Sequence, residues 1–191
     1  FAKYKKRSPV IRLDEVFESI TYQTGNKFKY ANIDSSVKTL FYKDSLNLLT
    51  KAGLAYKIYH TSARGIPLGA QTNPPKFKVI LFDIGLHHRV QKNDIAHILT
   101  SDDLNIINKG SIIESFVGME LLKYAPNHLP GSLHYWHRET KSSNAEVDYV
   151  LQLGEKIIPL EVKAGTKGQM QSIHLFLKNR NLDKGLRTSL E

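Results

Sequence analysis

Cysteine is absent from the 191 residues, which excludes disulfides, zinc–thiolate centres and cysteine nucleophiles. No run of about eighteen apolar residues occurs and no signal peptide is recognisable, so the expectation is a soluble, cytoplasmic protein with no membrane partner. The phosphate-loop pattern GxxxxGK[ST] is missing, so this stretch is not expected to bind ATP. Internal repeats and low-complexity segments are missing as well. A natural start is also lacking: the sequence opens on Phe1 and closes on Leu190-Glu191, which reads as an excised fragment ending in a tag scar at residues 190–191.

What is present is enough apolar material, 41% of residues, for one large domain or two small ones. Charge is unevenly spread. Residues 1–104 hold 16 Lys+Arg against 9 Asp+Glu, a balance of +7, and residues 105–191 hold 11 against 9, a balance of +2, which together give the overall +9. A basic first half beside a near-neutral half with clustered acids suggests a polyanion-docking part joined to a separate site. A basic tail with ordinary solvated lysines gives the same arithmetic.

The chain opens with Lys3–Arg7 (KYKKR), a basic linker closed by Ser8-Pro9. Leu13, Val16, Phe17 and Ile20 recur at helical spacing. Asp34 or Ser35 can cap a longer helix carrying Val37, Leu40, Phe41, Leu48 and Leu49, which stops at Ala52-Gly53. A strand over 54–60, a loop over 62–76 and a strand over 77–82 follow. Helix, helix, strand, long loop, strand is the outline of a winged helix, so a winged-helix-like domain with a basic N-terminal linker is expected over 1–104. Lys38, Lys43 and Lys51 on its second helix suit insertion into a DNA groove, although a solvated helix face carries the same lysines. His87-His88 invites a metal reading, but no second ligand cluster lies at useful spacing, and surface or interface histidines are expected.

A boundary is expected within residues 100–110. Beyond it the periodicity predicts a helix over 111–124 with Glu114 and Glu120 as its acids. A strand over 132–138 follows, with Tyr135 facing away from His134 and Trp136. Then come two strands flanking Gly154-Glu155, a helix over 169–178 and a last strand from about Lys184. The order is αβββαβ, and the fold class is α/β (α+β).

The segment that organises this half is Glu146–Gly165, EVDYVLQLGEKIIPLEVKAG. A two-residue turn at Gly154-Glu155 sets Asp148 opposite Glu161 and Glu146 opposite Lys163. Period-two alternation projects these four from one face, with Val147, Tyr149, Leu151, Ile158, Leu160 and Val162 on the other. Facing carboxylates repel unless something positive sits between them. A divalent cation and the Lys163 ammonium are the candidates. Ordinary cross-strand surface decoration is the competing reading, and the Asp148–Glu161 opposition counts against it.

This order, with Glu114 on the first helix, Asp148 on one strand and Glu161-Val162-Lys163 on the next, resembles the restriction-endonuclease-like PD-(D/E)XK nucleases over about residues 108–188. Val147 stands where the proline of that motif would be. The whole chain further resembles the C-terminal portion of a prokaryotic family of AAA-type P-loop ATPases, in which an ATPase core is followed by a winged helix and a nuclease-like domain of unknown function. The segments carrying this likeness are KFKY (27–30), LLTKAGL (48–54), FDIGL (82–86), IIESFVGMELL (112–122), EVDYVL (146–151) and IPLEVKAG (158–165).

The resemblance implies a PD-(D/E)XK domain over 105–189 in which Asp148 and Glu161 bind Mg²⁺ or Mn²⁺, aided by the Val162 carbonyl and by Glu114 through water. It implies that Lys163 positions or activates the attacking water, and that Glu146 supports the site or pairs with Lys163. DNA and, in cis, a parent ATPase core that alone binds ATP are the implied partners. Two functions follow: a metal-dependent DNA nuclease, or a non-catalytic nucleic-acid-binding or protein-interaction module that regulates the ATPase. Intact site residues favour the nuclease, and a near-neutral second half favours the module, because nuclease clefts usually need more basic flanks.

Overall fold

A computed structural model describes residues 10–92, 109–125, 131–138, 144–163 and 170–189. Among these residues the chain is mixed α/β, with five α-helices and two mixed sheets. The elements are α1 (Val10–Tyr22), α2 (Thr39–Lys51), β1 (Ala55–Thr61), β2 (Thr72–Leu81), α3 (Ile84–Val90), α4 (Lys109–Lys123), β3 (Leu133–His137), β4 (Glu146–Val147), β5 (Tyr149–Leu153), β6 (Lys156–Lys163), α5 (Gln171–Arg180) and β7 (Leu186–Ser189). Contacts group the chain into two compact units: residues 1–57 with 78–108, and residues 58–77 with 109–191. The segment Ile58–Phe77 thus groups with the second unit. None of the described helices is long and apolar enough to cross a membrane.

In the first unit α1 packs against α2. Leu13, Val16 and Ile20 face inward from α1, and Tyr42, Leu46 and Leu49 from α2, both at helical spacing. The Glu15 carboxylate joins the two helices, accepting Arg12 Nη1 at 2.7 Å and the Tyr42 hydroxyl at 2.9 Å. α2 does not start where a cap at Asp34 or Ser35 would put it. Asp34 instead accepts the Ser36 amide at 2.8 Å and hydroxyl at 2.6 Å, an Asx turn that competes with helix initiation. The helix begins at Thr39 without a side-chain cap, which leaves Leu40 and Phe41 exposed instead of in the core. Gly53, at φ +71°, ends it as expected.

The FDIGL segment starts α3, whose N-cap Asp83 accepts the Leu86 amide. His87 and His88, expected at a surface or an interface, are both buried. Burial lowers the His87 pKa to about 4, with the neighbouring His88 charge adding to the effect and a hydrogen bond with Gln91 opposing it. The KYKKR linker and most of the expected boundary region at 100–110 lie outside the described residues.

The second unit holds both sheets' inner strands. Sheet one has the order β2-β1-β3-β4, with Ile58, Tyr59 and His60 of β1 running parallel to Leu133, His134 and Tyr135 of β3, and β3 antiparallel to β4. Sheet two has the order β5-β6-β7, with β5–β6 antiparallel and β6–β7 parallel. α5 packs on β4 and β6, while α4 packs on β6 and β3. A strand covered on both faces reads as a continuous apolar run, and Pro159–Val162 of β6 is buried without alternation. Beneath α5, Trp136, Val147, Val150, Ile157 and Phe176 form one core with Ala63 and Leu68. The Trp136 and Phe176 rings meet edge to face, centroids 5.2 Å apart.

Candidate functional site

The hairpin that positions the candidate residues forms as its turn chemistry dictates. Gly154 sits at φ +61° and Glu155 has no positive φ, the pattern of a type II′ turn, which only glycine enters at its first position without strain. Cross-strand partners run from Leu153↔Lys156 to Tyr149↔Leu160, the register that sets Asp148 against Glu161.

There the ladder stops. Residue 148 lies between two strands: Glu146–Val147 leave β6 and pair with β3, as His137↔Glu146 and Trp136↔Val147. Glu146 is therefore set against His137, not against Lys163. The alternation also changes phase at the break. Val147 and Val150 enter the same core under α5, whereas the Tyr149 hydroxyl points to α4 and donates to the Glu114 carbonyl at 2.8 Å. Val147 thus does not share a face with Tyr149, as unbroken alternation had implied. Where β4 departs, Val162 has no strand partner on that side, and the Asp148 carboxylate fills the place by accepting its amide at 2.8 Å. A buried backbone donor left open is costly, so Asp148 has structural work at the fork.

On β6, Glu161 and Lys163 share a face, and Lys163 Nζ donates to Glu161 Oε1 at 2.6 Å. The Glu161 side chain is only 7% exposed and that of Lys163 25%. The second oxygen, Glu161 Oε2, is buried and has no hydrogen-bond partner among the described residues. Burial raises the Glu161 pKa; the Lys163 hydrogen bond and charge oppose this, and the charges of Asp148 and Glu146 reinforce it. Asp148, Glu146, Glu161 and Lys163 thus act on one another electrostatically.

Glu114 lies on α4 and is buried. Its charge acts on Tyr149, whose pKa is raised first by burial and then by Glu114 and Asp148.

The donor set is one of hard oxygens, and a buried carboxylate oxygen without a hydrogen bond is the acceptor a cation would take up. Among the described residues no group of three or more His, Asp or Glu side chains is placed to hold a metal. Two carboxylates with a backbone carbonyl and water suit Mg²⁺, which keeps several waters and takes one or two carboxylates. Glu161 and Asp148 are donors of that kind, and the described residues do not supply the full protein cage that some cations need.

One neighbouring cluster escaped the sequence. His60 and His137 meet edge to face with centroids 4.4 Å apart, and the Tyr135 ring lies 5.6 Å from His60 and stacks on His137 at 5.9 Å. His134, on the same strand, is buried as well. No spacing pattern could join His60 to residues so far downstream; only the β1–β3 pairing does.

Comparison with known protein families gives two matches. Residues 1–96 match a domain of unknown function, DUF8612, and residues 109–189 match another domain of unknown function, DUF4143. No curated protein and no solved structure gives a significant match.

Proposed function

The chain belongs to the DUF8612 family, whose match spans just over half of its length, and from that premise and the geometry above we propose that its second half is a nuclease-like unit of the PD-(D/E)XK kind, acting on DNA phosphodiesters with Mg²⁺ or Mn²⁺. The observation that carries the reading is Glu161: a buried carboxylate with one oxygen on Lys163 and the other without a hydrogen bond, beside Asp148 and Glu146. Stability alone does not favour gathering like charges around a buried acid.

In this reading Glu161 and Asp148 hold the cation, with the Val162 carbonyl completing the protein share and Glu114 acting at a distance through water. The ion, when bound, supplies positive charge for the phosphate and the attacking oxygen. Lys163, returned to the Glu161 face by strand alternation, holds the attacking water and offsets phosphate charge. Glu146 adds negative charge that raises the Glu161 pKa and would strengthen the pull of the cluster on a cation. The first half would dock DNA as a winged helix, and an ATPase core carrying the missing phosphate loop would belong to a longer parent chain.

One observation favours a second reading. The Asp148 carboxylate already serves the Val162 amide, as it would in a non-catalytic binding module that regulates the ATPase. Incubating supercoiled and linear DNA with the chain and Mg²⁺ or Mn²⁺, beside Lys163→Ala and Asp148→Ala, separates the two. Metal-dependent cutting that both substitutions abolish supports the nuclease; DNA binding without cutting supports the module.

A further inference from the structure

At the turn end of the β5–β6 hairpin, opposite the acid cluster, the second unit has a cavity of about 390 Å³. Arg64, Lys156, Arg180 and Lys184 line it, with Glu155 and Asp183 as its two acids. The cations outnumber the acids, and among the described residues none of the four makes an ion pair.

The cavity is built, not incidental. Arg180 is held in place: Nε and Nη2 donate to the Ser62 carbonyl at 2.9 and 2.7 Å, Nη1 donates to the Asn179 carbonyl at 3.2 Å, and the guanidinium lies over the Trp136 and Phe176 rings at 5.9 and 5.8 Å, which leaves one N–H on each terminal nitrogen for a ligand. Arg64 is delivered by a loop that Gln71 pins, its Oε1 accepting the Arg64 amide at 2.7 Å and the Ser62 hydroxyl at 2.9 Å. Leu182, Asp183 and Lys184 of the lining lie between Asn181, which ends α5 in the left-handed region at φ +52°, and Gly185, where an added Cβ would stand 2.8 Å from Ile173 Cδ1. Burial lowers the Arg180 pKa, and the Arg64 charge lowers it further, so the two guanidiniums repel each other. The negative end of the α5 dipole accounts for one cation at this place. It does not account for a second arginine carried in from residue 64.

We propose that this cavity is an anion site that takes a backbone phosphate of a nucleic acid, with Arg180 as the fixed donor and Arg64, Lys156 and Lys184 closing around it. Arginine's planar fork suits phosphate geometry. The cavity and the acid cluster are separated by the length of β5, five residues or about 17 Å at roughly 3.3 Å each. That is about five phosphates along one strand of a B-form duplex. A polymer gripped here would reach the acid cluster, and the choice of a polymer over a small anion rests on the function proposed above.

The test is binding of a fluorescently labelled DNA oligonucleotide, single- and double-stranded, to the whole chain across a salt series. The variant is Arg64→Ala/Lys184→Ala, both exposed and outside the core, so the fold is expected to stand. The expected result is roughly tenfold weaker binding and a salt slope reduced by about two, one for each phosphate-facing cation removed. Arg180→Lys, which keeps the charge but loses the fork, is expected to weaken binding by a smaller factor.

Unchanged affinity and slope in the double variant overturn the inference, as does absence of oligonucleotide binding by the natural sequence. Binding of inorganic phosphate that depends on Arg64, without oligonucleotide binding, overturns the polymer assignment. DNA cutting with unchanged binding in the double variant sinks this site and leaves the nuclease reading standing. Arg64-dependent binding with no cutting does the reverse.

Discussion

The Asp148 carboxylate accepts the Val162 amide at 2.8 Å across the fork where β4 leaves β6. One carboxylate therefore has two possible duties, closing a backbone hydrogen bond and holding a cation. The two separate cleanly by substitution. Asp148→Asn keeps an oxygen acceptor and is expected to unfold within about 1 kcal/mol of the natural sequence, whereas Asp148→Ala opens the Val162 donor and is expected to cost about 1–3 kcal/mol. Urea unfolding measures both. DNA cutting, if the proposed nuclease is right, is lost in both variants alike, because asparagine supplies no anionic ligand.

Lys163→Met removes the only described cation bonded to Glu161 and leaves a buried, unpaired carboxylate. The expected cost at neutral pH is on the order of 2 kcal/mol. The sign with pH is specific. Glu161 already has its pKa raised above 4.5, and losing Lys163 raises it further. The cost is therefore present above the raised pKa and disappears below pH 4.5, where the folded and unfolded carboxyls are both protonated. Unfolding at pH 7 and pH 4 compares the two. A loss of equal size at both pH values contradicts the electrostatic account.

Tyr149 is fully buried, and its hydroxyl is satisfied by the Glu114 carbonyl. Tyr149→Phe removes the donor while keeping the ring, and about 1 kcal/mol of stability is expected to go with it. Hydrogen exchange at α4 amides is the sharper readout, since the bond ties β5 to that helix.

His87 is buried neutral with its pKa lowered to about 4. The unfolded chain takes up a proton near pH 6.5, and the folded one does not until about pH 4. The stability contributed by the neutral ring is thus full above pH 6.5, falls as the pH drops through this window, and is gone below about 4. On the order of 3 kcal/mol is involved. In His87→Gln the stability profile between pH 6.5 and 4 is expected to flatten, which thermal unfolding at stepped pH measures.

Local chemistry was legible in the sequence, and contacts between distant segments were not. Gly154-Glu155 announced the hairpin and its register because a glycine in the first turn position is a local signal. Gly53 stopped α2 for the same reason. The order of elements in the second half also followed from periodicity, from α4 to β7. What the alternation could not give was the break at residue 148. Val147 and Glu146 are as β-prone as their neighbours, and it is β3, arriving from 133–137, that draws them away. Burial of His87 and His88 was hidden likewise, because a histidine pair reads the same whether packing covers it or not. The Asp34 error was local: its side chain had a competing partner two residues on, and the turn won.

The path of the chain between its two compact units has a practical result. It enters the second unit at Ile58, returns at Lys78 and leaves again at Lys109. The DUF4143 match begins only at 109, after β1 has already supplied the neighbour of Leu133, His134 and Tyr135. A polypeptide cut to that match would bare the rim of β3, a row of open amides and carbonyls beside apolar side chains, and such rims recruit foreign strands. Insolubility of the isolated 109–189 piece would then report a missing ribbon, and adding residues 58–77 as a separate peptide should restore its solubility.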